Sequence, residues 1–304
     1  MKLFHERDQY KGYNIYSMKK YVDKKRIIFN ITIGILIAIT LIFVIYYTID
    51  STIRIHKAKQ FEKQILEYAQ QQEEQNQKEK EEKIPNLTDE GKQNVKNIYH
   101  SETKRAFLTF DDGPSDNTND ILDILKEKNI KATFFVLGTQ VEKMPETLKR
   151  VYKEGHYIAN HGYSHQYSQI YTSPESVLEE YNKCNEIVAK TIGVPEYNSH
   201  LFRFPGGSVG GKYSEIKTEA ITLLEQNNVL HVDWNALTGD SEKVNPSEEY
   251  LMNNLQKTTK DKNSIVILMH DAQAKRVTVD YLPKAIEYLQ DQGYEFQNFY
   301  SIIK

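Results

Sequence analysis

Cysteine is almost absent from this sequence, since Cys184 is the only one among 304 residues. A single cysteine excludes an intramolecular disulfide, so a folded domain must be held together by an apolar core instead. Cys184 shares a helical apolar spacing with Val177, Tyr181 and Val188. This spacing predicts a buried side chain on the inner face of a helix rather than a nucleophile.

An excess of one charge sign is also missing. The chain has 39 Lys and Arg residues against 42 Asp and Glu residues, which gives a formal net charge of -3 at pH 7. Domains that bind nucleic acid typically carry a basic patch or stripe. The composition favours no polyanionic partner, and we expect no nucleic-acid partner.

Residues 27–49 contain no charged side chain at all. A helix of that length is roughly 34 Å long at about 1.5 Å per residue, enough to cross a hydrocarbon core of about 30 Å. The segment therefore predicts a transmembrane helix. A secretory signal peptide is the weaker alternative, because its apolar region is usually about 7–15 residues and a small-residue cleavage site should follow.

The flanking charges predict the orientation of this helix. Residues 1–26 carry eight basic side chains against three acidic ones, and the basic cluster from Lys19 to Arg26 directly precedes the apolar segment. Positive charge is retained on the cytoplasmic side of a membrane. We therefore predict a cytoplasmic tail over residues 1–26, one membrane crossing, and an extracellular remainder.

Proline and glycine are absent from residues 50–84. The strong helix formers Gln, Glu and Lys dominate this stretch, which predicts a solvated helix within a polar extracellular stalk over residues 50–101. Its few apolar residues, Ile65, Leu66 and Tyr68, are too sparse for a sustained heptad repeat. A coiled-coil dimerisation segment is thus the lesser alternative, and the oligomeric state stays undetermined.

Residues 102–304 show short apolar runs that alternate with amphipathic helical segments. The runs are residues 107–110, 132–137, 157–159, 229–232 and 265–269. Such alternation predicts an α/β domain of parallel strands joined by crossover helices. This many repeats in about 200 residues predicts a distorted (β/α) barrel, in which the chemistry lies at the carboxyl ends of the strands.

Asp111 and Asp112 end the first apolar run. Adjacent carboxylates repel each other, and the cost is tolerable when one binds a cation while the other stays free to take a proton. Taken alone, the same segment is also ordinary turn chemistry. His161 and His165 follow the third run, and two imidazoles with one carboxylate form a set that leaves a divalent metal an open position for water.

Five ordered segments resemble the motifs of the polysaccharide deacetylases, carbohydrate esterase family four. In motif order, the segments are residues 109–114, His161 with His165, residues 203–207, Trp234 with Asp240, and residues 268–271. The resemblance spans about residues 102–300. The first 100 residues lie outside it.

This resemblance implies a metal site and a general base. Asp112, His161 and His165 would hold one divalent ion, for which Zn²⁺ suits the two imidazoles and one carboxylate best. Asp111 would be the general base that takes a proton from water. Arg203 would orient Asp111 and keep it ionised through a charge-assisted hydrogen bond.

The resemblance also implies an acid and a substrate contact surface. His270, oriented by Asp240, would protonate the departing amine. The backbone N–H of Gly206 would stabilise the oxyanion, and Leu268 would contact the acetyl methyl group. Trp234 is a candidate sugar platform, although a buried structural role is the more usual one for tryptophan.

Three positions depart from the family motifs. Gly162 stands where a Ser or Thr usually braces the histidine loop, and Gly206 replaces a Tyr that forms an aromatic wall of the groove. Ser241 stands where a Trp often follows Asp240. These departures concern the substrate groove more than the reacting groups. His156, His200 and His231 match no motif, which predicts structural or surface roles.

The sequence as a whole predicts a membrane-tethered, metal-dependent hydrolase that removes N-acetyl groups from an extracellular polysaccharide. An enzyme fixed to its own membrane meets the glycan built beside that membrane, which favours N-acetylglucosamine of peptidoglycan. Chitin-type glycans and exopolysaccharides are alternative substrates. An O-acetyl esterase and a non-catalytic glycan-binding module are alternative functions.

Overall fold

The computed structural model describes residues 15–303, so most of the predicted cytoplasmic tail lies outside the described residues. The chain divides into two compact units, one ending at Gln77 and one beginning at Lys78. Helix α1 (Ile15–Glu82) is uninterrupted, as expected for a segment without proline. Within the described part of the chain, it contains one stretch that is long and apolar enough to cross a membrane.

The second unit contains a parallel sheet of eight short strands. The strands are β1 (Arg105–Asp111), β2 (Thr133–Val136), β3 (Tyr157–Asn160), β4 (Leu201–Phe202), β5 (Leu230–His231), β6 (Ala236–Leu237), β7 (Ser264–His270) and β8 (Glu295–Gln297). Their order is β5-β4-β3-β2-β1-β7-β6, and β8 also pairs with β1. Every pairing is parallel, which confirms the predicted distorted barrel.

The carboxyl ends of these strands meet at one edge of the barrel. Asp111 at the end of β1 is in register with Phe135 of β2 and with His270 of β7. Side chains alternate along a strand, so Thr109 and Asp111 share the inward face of β1 with Phe107. This alternation aims Asp111 toward the barrel axis, whereas Asp112 follows the strand with a φ of 75°.

Helices surround the sheet. They are α2 (Asp89–Lys96), α3 (Asp116–Glu127), α4 (Gly138–Lys143), α5 (Pro145–Lys153), α6 (Tyr167–Ile170), α7 (Pro174–Ile192), α8 (Ser214–Gln226), α9 (Glu248–Thr259) and α10 (Arg276–Asp291), with a 3₁₀ helix at Phe299–Ser301. Helix α7 has a capping residue at each end, because the Ser173 side chain accepts a hydrogen bond from the Ser176 N–H and Gly193 adopts the left-handed conformation.

Apolar side chains from the amino-terminal and carboxy-terminal segments of the second unit fill the interior of the barrel. The ring of Phe299 lies 5.3 Å from that of Phe107 and 6.0 Å from that of Tyr157. Val95 and Ile98 are buried in the same cluster, at 4% and 1% exposure. The second face of the sheet packs against the helices, where Cys184 is fully buried as predicted.

The second compact unit begins earlier in the chain than the catalytic domain that we predict from residue 102. Residues 78–101, assigned to the stalk by their composition, belong to the second compact unit. The reason is that α2, although short and polar, buries Val95 and the adjoining Ile98 inside the barrel. The Tyr300 hydroxyl also donates a hydrogen bond to the Lys83 carbonyl at 2.6 Å.

Candidate active site

The inward face of β1 places a carboxylate against a fully buried arginine. The Arg203 guanidinium donates from Nη1 to Asp111 Oδ1 at 2.8 Å and to Thr109 Oγ1 at 2.7 Å. Its remaining nitrogens bond to the carbonyls of Val232 and Asp233, each at 3.0 Å. Burial raises the pKa of Asp111, and the charge and hydrogen bond of Arg203 oppose that rise. The arginine is therefore what favours the ionised form of this carboxyl group.

Asp112 and two histidines converge without bonding to one another. Asp112 Oδ1 lies 3.6 Å from His161 Nε2 and 3.4 Å from His165 Nε2, and the three candidate ligand atoms lie within 4.8 Å of one another. This oxygen is buried and has no hydrogen-bond partner within residues 15–303. Electron pairs that face each other in this way fit a shared cation. The three residues could hold a divalent metal ion.

A backbone carbonyl determines which ring nitrogen of His161 carries the proton. Its Nδ1 lies 2.7 Å from the Arg203 carbonyl oxygen, which only accepts hydrogen bonds. Nδ1 must therefore carry the proton, and Nε2 keeps its lone pair directed toward Asp112. Burial lowers the pKa of His161 to about 3, although the Asp112 charge acts in the opposite direction. A neutral imidazole at neutral pH is the form that binds metal.

A third histidine, His270, is paired with a carboxylate at the end of β7. His270 Nδ1 lies 2.9 Å from Asp240 Oδ1, and its backbone N–H donates to Asp240 Oδ2 at 2.7 Å. Thr278 adds a hydrogen bond to the same carboxylate at 2.7 Å. Burial lowers the pKa of His270, but the hydrogen bond and charge of Asp240, with smaller effects of Asp111 and Asp112, raise it to about 9. His270 is thus protonated at neutral pH.

Glu180 of α7 braces the loop that carries the two histidines. Its carboxylate accepts hydrogen bonds from the backbone N–H groups of Tyr163 and Ser164 at 2.6 and 2.7 Å, and from the Ser164 hydroxyl at 2.7 Å. A β-carbon on Gly162 would lie 3.4 Å from Glu180 Oε2. Glu180 therefore supplies support that the sequence analysis expected Gly162 to remove. No sequence motif pointed to Glu180, which lies on a separate helix.

The turn at Gly206 is held by side chains outside the motifs. The Gly207 N–H bonds to the Phe204 carbonyl at 2.8 Å, and Gly206 has a φ of 77°, a conformation that side chains rarely adopt. The buried Lys217 donates to the Gly207 carbonyl at 2.6 Å, and the Tyr171 hydroxyl donates to the Pro205 carbonyl at 2.7 Å. These contacts fix the backbone that was predicted to present an oxyanion donor.

Asp271 ties the end of β7 to the first motif. Its backbone N–H bonds to the Asp111 carbonyl at 3.0 Å, and its carboxylate accepts from the Thr118 hydroxyl at 2.6 Å. A β-carbon on Gly113 would lie 2.2 Å from this carboxylate, so only glycine fits there. Burial raises the pKa of Asp271 to about 7, with added effects of the Asp112 and Asp111 charges, while the Thr118 bond opposes the rise.

Leu268 and Trp234 are the remaining predicted site residues. Leu268 is buried on β7, two residues before His270. Trp234 lies against Gly207 and 5.8 Å from the Arg203 guanidinium, and it lines a cavity of about 420 Å³ with Tyr99. The structure thus places Trp234 between the Gly207 turn and the Arg203 guanidinium.

The histidines that matched no motif lie outside the site. His156 Nδ1 accepts a hydrogen bond from the Ala132 N–H at 3.1 Å, and burial lowers the pKa of His156 to about 3. His200 Nδ1 lies 2.8 Å from the Asn228 carbonyl. These contacts are structural, in agreement with the sequence analysis.

An open parallel barrel that presents two carboxylates, two imidazoles and a histidine–aspartate pair at the carboxyl ends of its strands defines a hydrolase of the (β/α)-barrel type. Comparison with known proteins agrees. The family profile for polysaccharide deacetylases matches residues 99–225. A peptidoglycan-N-acetylglucosamine deacetylase from Bacillus cereus is 31% identical over 204 residues, which cover 66% of this chain and 70% of that protein.

Two solved structures share the fold. The catalytic domain of a peptidoglycan N-acetylglucosamine deacetylase from Eubacterium rectale has 31% sequence identity and a TM-score of 0.60, covering 66% of this chain and 90% of that one. A family-four carbohydrate esterase from Streptococcus mutans has 29% identity and a TM-score of 0.62, covering 70% and 95%. The chain belongs to the polysaccharide deacetylase family, and it is a hydrolase that acts on carbon–nitrogen bonds other than peptide bonds.

Proposed function

We propose that this protein is a membrane-tethered, metal-dependent deacetylase that removes the N-acetyl group from N-acetylglucosamine residues of peptidoglycan outside the cell. One observation carries the proposal. Asp111 and His270 occupy paired positions on β1 and β7, and Asp111 Oδ2 lies 3.9 Å from His161 Nε2 of the candidate metal group. The proposed base, acid and cation site therefore lie together at the carboxyl ends of the strands.

Each residue has a chemical task in this reaction. Asp111, held by Arg203, takes a proton from the attacking water. Asp112, His161 and His165 would hold a divalent ion, and zinc suits this ligand set best. When bound, the ion supplies a Lewis acid that polarises the acetyl carbonyl and acidifies water.

Collapse of the tetrahedral intermediate requires an acid. His270 gives its proton to the departing amine, and Asp240 keeps the imidazole oriented for this transfer. The Gly206 N–H, at a turn fixed by Lys217, stabilises the oxyanion. Leu268 contacts the acetyl methyl group. Trp234 supports the Arg203 guanidinium in this scheme, and a direct sugar contact is its lesser role.

The location and the substrate rest on a second set of observations. The uncharged residues 27–49 lie within α1, and basic side chains precede them, which favours a cytoplasmic amino terminus and an extracellular catalytic unit. The relatives from B. cereus and E. rectale are named for peptidoglycan N-acetylglucosamine. An enzyme anchored in the membrane meets the cell wall assembled next to that membrane.

An O-acetyl esterase is the second candidate. The S. mutans structure is described as an esterase, and the same groups can hydrolyse an ester. A non-catalytic glycan-binding module fits less well, because the base, the acid and the three candidate ligands all lie together in the described structure.

Product analysis separates these functions. The full-length protein in detergent micelles, loaded with zinc, is incubated with purified peptidoglycan, chitin oligomers and an O-acetylated xylan. We expect acetate and new free amines in equal amounts from peptidoglycan, loss of both after chelation, and recovery with zinc. Acetate without new amines would identify an esterase. Activity confined to chitin oligomers would change the assigned substrate from peptidoglycan to chitin-type glycans. The Asp111→Asn variant is the matched inactive control.

A further inference from the structure

Tyr167 lies between the candidate metal group and the Gly206 turn. It begins α6, two residues after His165, and the two rings meet edge to face with centroids 5.6 Å apart. Its hydroxyl oxygen lies 2.6 Å from the point that a β-carbon on Gly206 would occupy. The side chain is 40% exposed, so it borders the open side of the site.

Two aromatic rings hold Tyr167 in this position. The Tyr171 ring packs edge to face against it at 5.6 Å, and the Tyr213 ring lies at 6.5 Å. Tyr171 is itself buried and fixed through its hydroxyl to the Pro205 carbonyl. The phenol ring of Tyr167 therefore has little freedom to rotate away from Gly206.

The Tyr167 hydroxyl has hydrogen-bonding capacity that the protein does not use. In the described part of the chain, no group donates to it or accepts from it, whereas the hydroxyls of Tyr157, Tyr171 and Tyr197 each bond to a backbone carbonyl. A fixed polar group at the rim of a site, with no protein partner, is placed to contact a ligand.

We propose that Tyr167 is a catalytic residue that touches the acetylated sugar and donates a hydrogen bond from its hydroxyl to the acetyl oxygen. This inference rests on the proposed deacetylation and adds a donor to it. Attack of water converts the acetyl C=O into a C–O⁻ group, and the phenol hydrogen bond strengthens as that charge develops. The proton stays on Tyr167, so no bond of the tyrosine is broken.

The structure also explains why this donor lies on α6 and not on the turn itself. Gly206 has a positive φ and carries no side chain, and any β-carbon there would collide with the Tyr167 hydroxyl. The turn thus contributes a backbone N–H only. The space above it is filled by the phenol of Tyr167.

The expected effect follows from known oxyanion donors. Removal of one enclosed donor lowers kcat about 10²–10³-fold. Because Tyr167 is partly solvated, we expect the Tyr167→Phe variant to lose about 10–100-fold in kcat, toward the low end of that scale. KM should change little, since the hydrogen bond strengthens only in the transition state.

The test uses the full-length protein in detergent with solubilised peptidoglycan as the probe, and it measures kcat, KM and bound zinc. Tyr288→Phe is the matched control, because Tyr288 lies on α10 and its hydroxyl pairs with Thr259 at 3.3 Å. We expect Tyr167→Phe to lose kcat while it retains stoichiometric zinc and near-normal KM, and Tyr288→Phe to match the parent protein.

Three results would overturn the inference. Full kcat in Tyr167→Phe would show that the hydroxyl is not used. A rise in KM alone would assign it to ground-state sugar binding, and a parallel loss of zinc would assign it to support of His165. A parent protein that releases no acetate from any acetylated glycan would instead reject the proposed function itself, together with this inference.

Discussion

The strongest stability prediction concerns residues 78–101, which composition alone assigned to the stalk. A chain that begins at residue 102 loses Val95 and Ile98 from the barrel interior. It also loses the carbonyls of Ile98 and His100, which accept hydrogen bonds from Arg105 Nη2 at 3.3 and 3.1 Å. We expect this truncation to destabilise the barrel, whereas a chain that begins at residue 78 keeps every one of these contacts.

The size of the effect can be worked out from burial. Each of the two apolar side chains contributes about 1.5–3 kcal/mol when fully buried, so their joint loss costs about 3–6 kcal/mol. The free energy of unfolding of a domain is typically about 5–15 kcal/mol. The truncation therefore removes a large share of the stability. The single substitution Ile98→Ala should cost about 2–5 kcal/mol, because it leaves a cavity beside Phe107 and Phe299.

Thermal unfolding monitored by circular dichroism checks both changes. For a unit of this size about 1 kcal/mol shifts Tm by about 2–4 °C, so Ile98→Ala should lower Tm by about 4–20 °C. Gln93→Ala, at an exposed position of the preceding helix α2, is the matched control and should stay within about 0.5 kcal/mol. If the chain starting at residue 102 unfolds at the same temperature as the chain starting at residue 78, then α2 is not part of the core and our reasoning is wrong.

Three further predictions concern the site. Asp111→Asn should keep bound zinc and lose about 10²–10⁴-fold in kcat, whereas Asp112→Asn should lose zinc itself, as measured by elemental analysis; equal zinc loss in both would refute the division of roles. The pKa of His270 is raised to about 9, so kcat should fall as pH rises through that value. Asp240→Asn should shift this fall in the pH profile of kcat to lower pH. If the fall stays at the same pH in that variant, His270 is not the acid. Glu180→Gln should weaken zinc affinity by about 10–100-fold in a competition titration, with Tm nearly unchanged. Unchanged affinity would show that the histidine loop keeps its conformation without the Glu180 carboxylate.

The parts of the fold that sequence could predict are those with strong local signals. The apolar runs that became β1 and β7 were both recognisable from neighbouring residues. Asp111 ends β1, Asp112 follows it, and the two histidines lie in the loop after β3, which is why their convergence could be anticipated. The strands β4, β6 and β8 were missed, because each has only two or three residues and no longer apolar run marks it.

The missed residues share a different cause. Glu180 and Lys217 lie on exposed-looking helical positions, and their contacts with the loops depend on how α7 and α8 pack against the barrel. Tyr167 was not singled out, because an aromatic residue near a histidine carries no functional signal in the sequence alone. Residues 89–98 were assigned to the stalk because their composition is polar, although two apolar side chains in ten are enough to close the barrel interior.

The pairing of β1 with β7 has a consequence for how the enzyme comes into being. The two strands match residue by residue from Arg105 with Ser264 to Asp111 with His270, yet they lie near opposite ends of the unit in sequence. Such distant partners meet late, because closing a long loop costs entropy before any contact is gained. A nascent chain therefore carries Asp111 and both loop histidines well before His270 exists beside them. Hydrolysis waits until the last quarter of the polypeptide has been made and has docked.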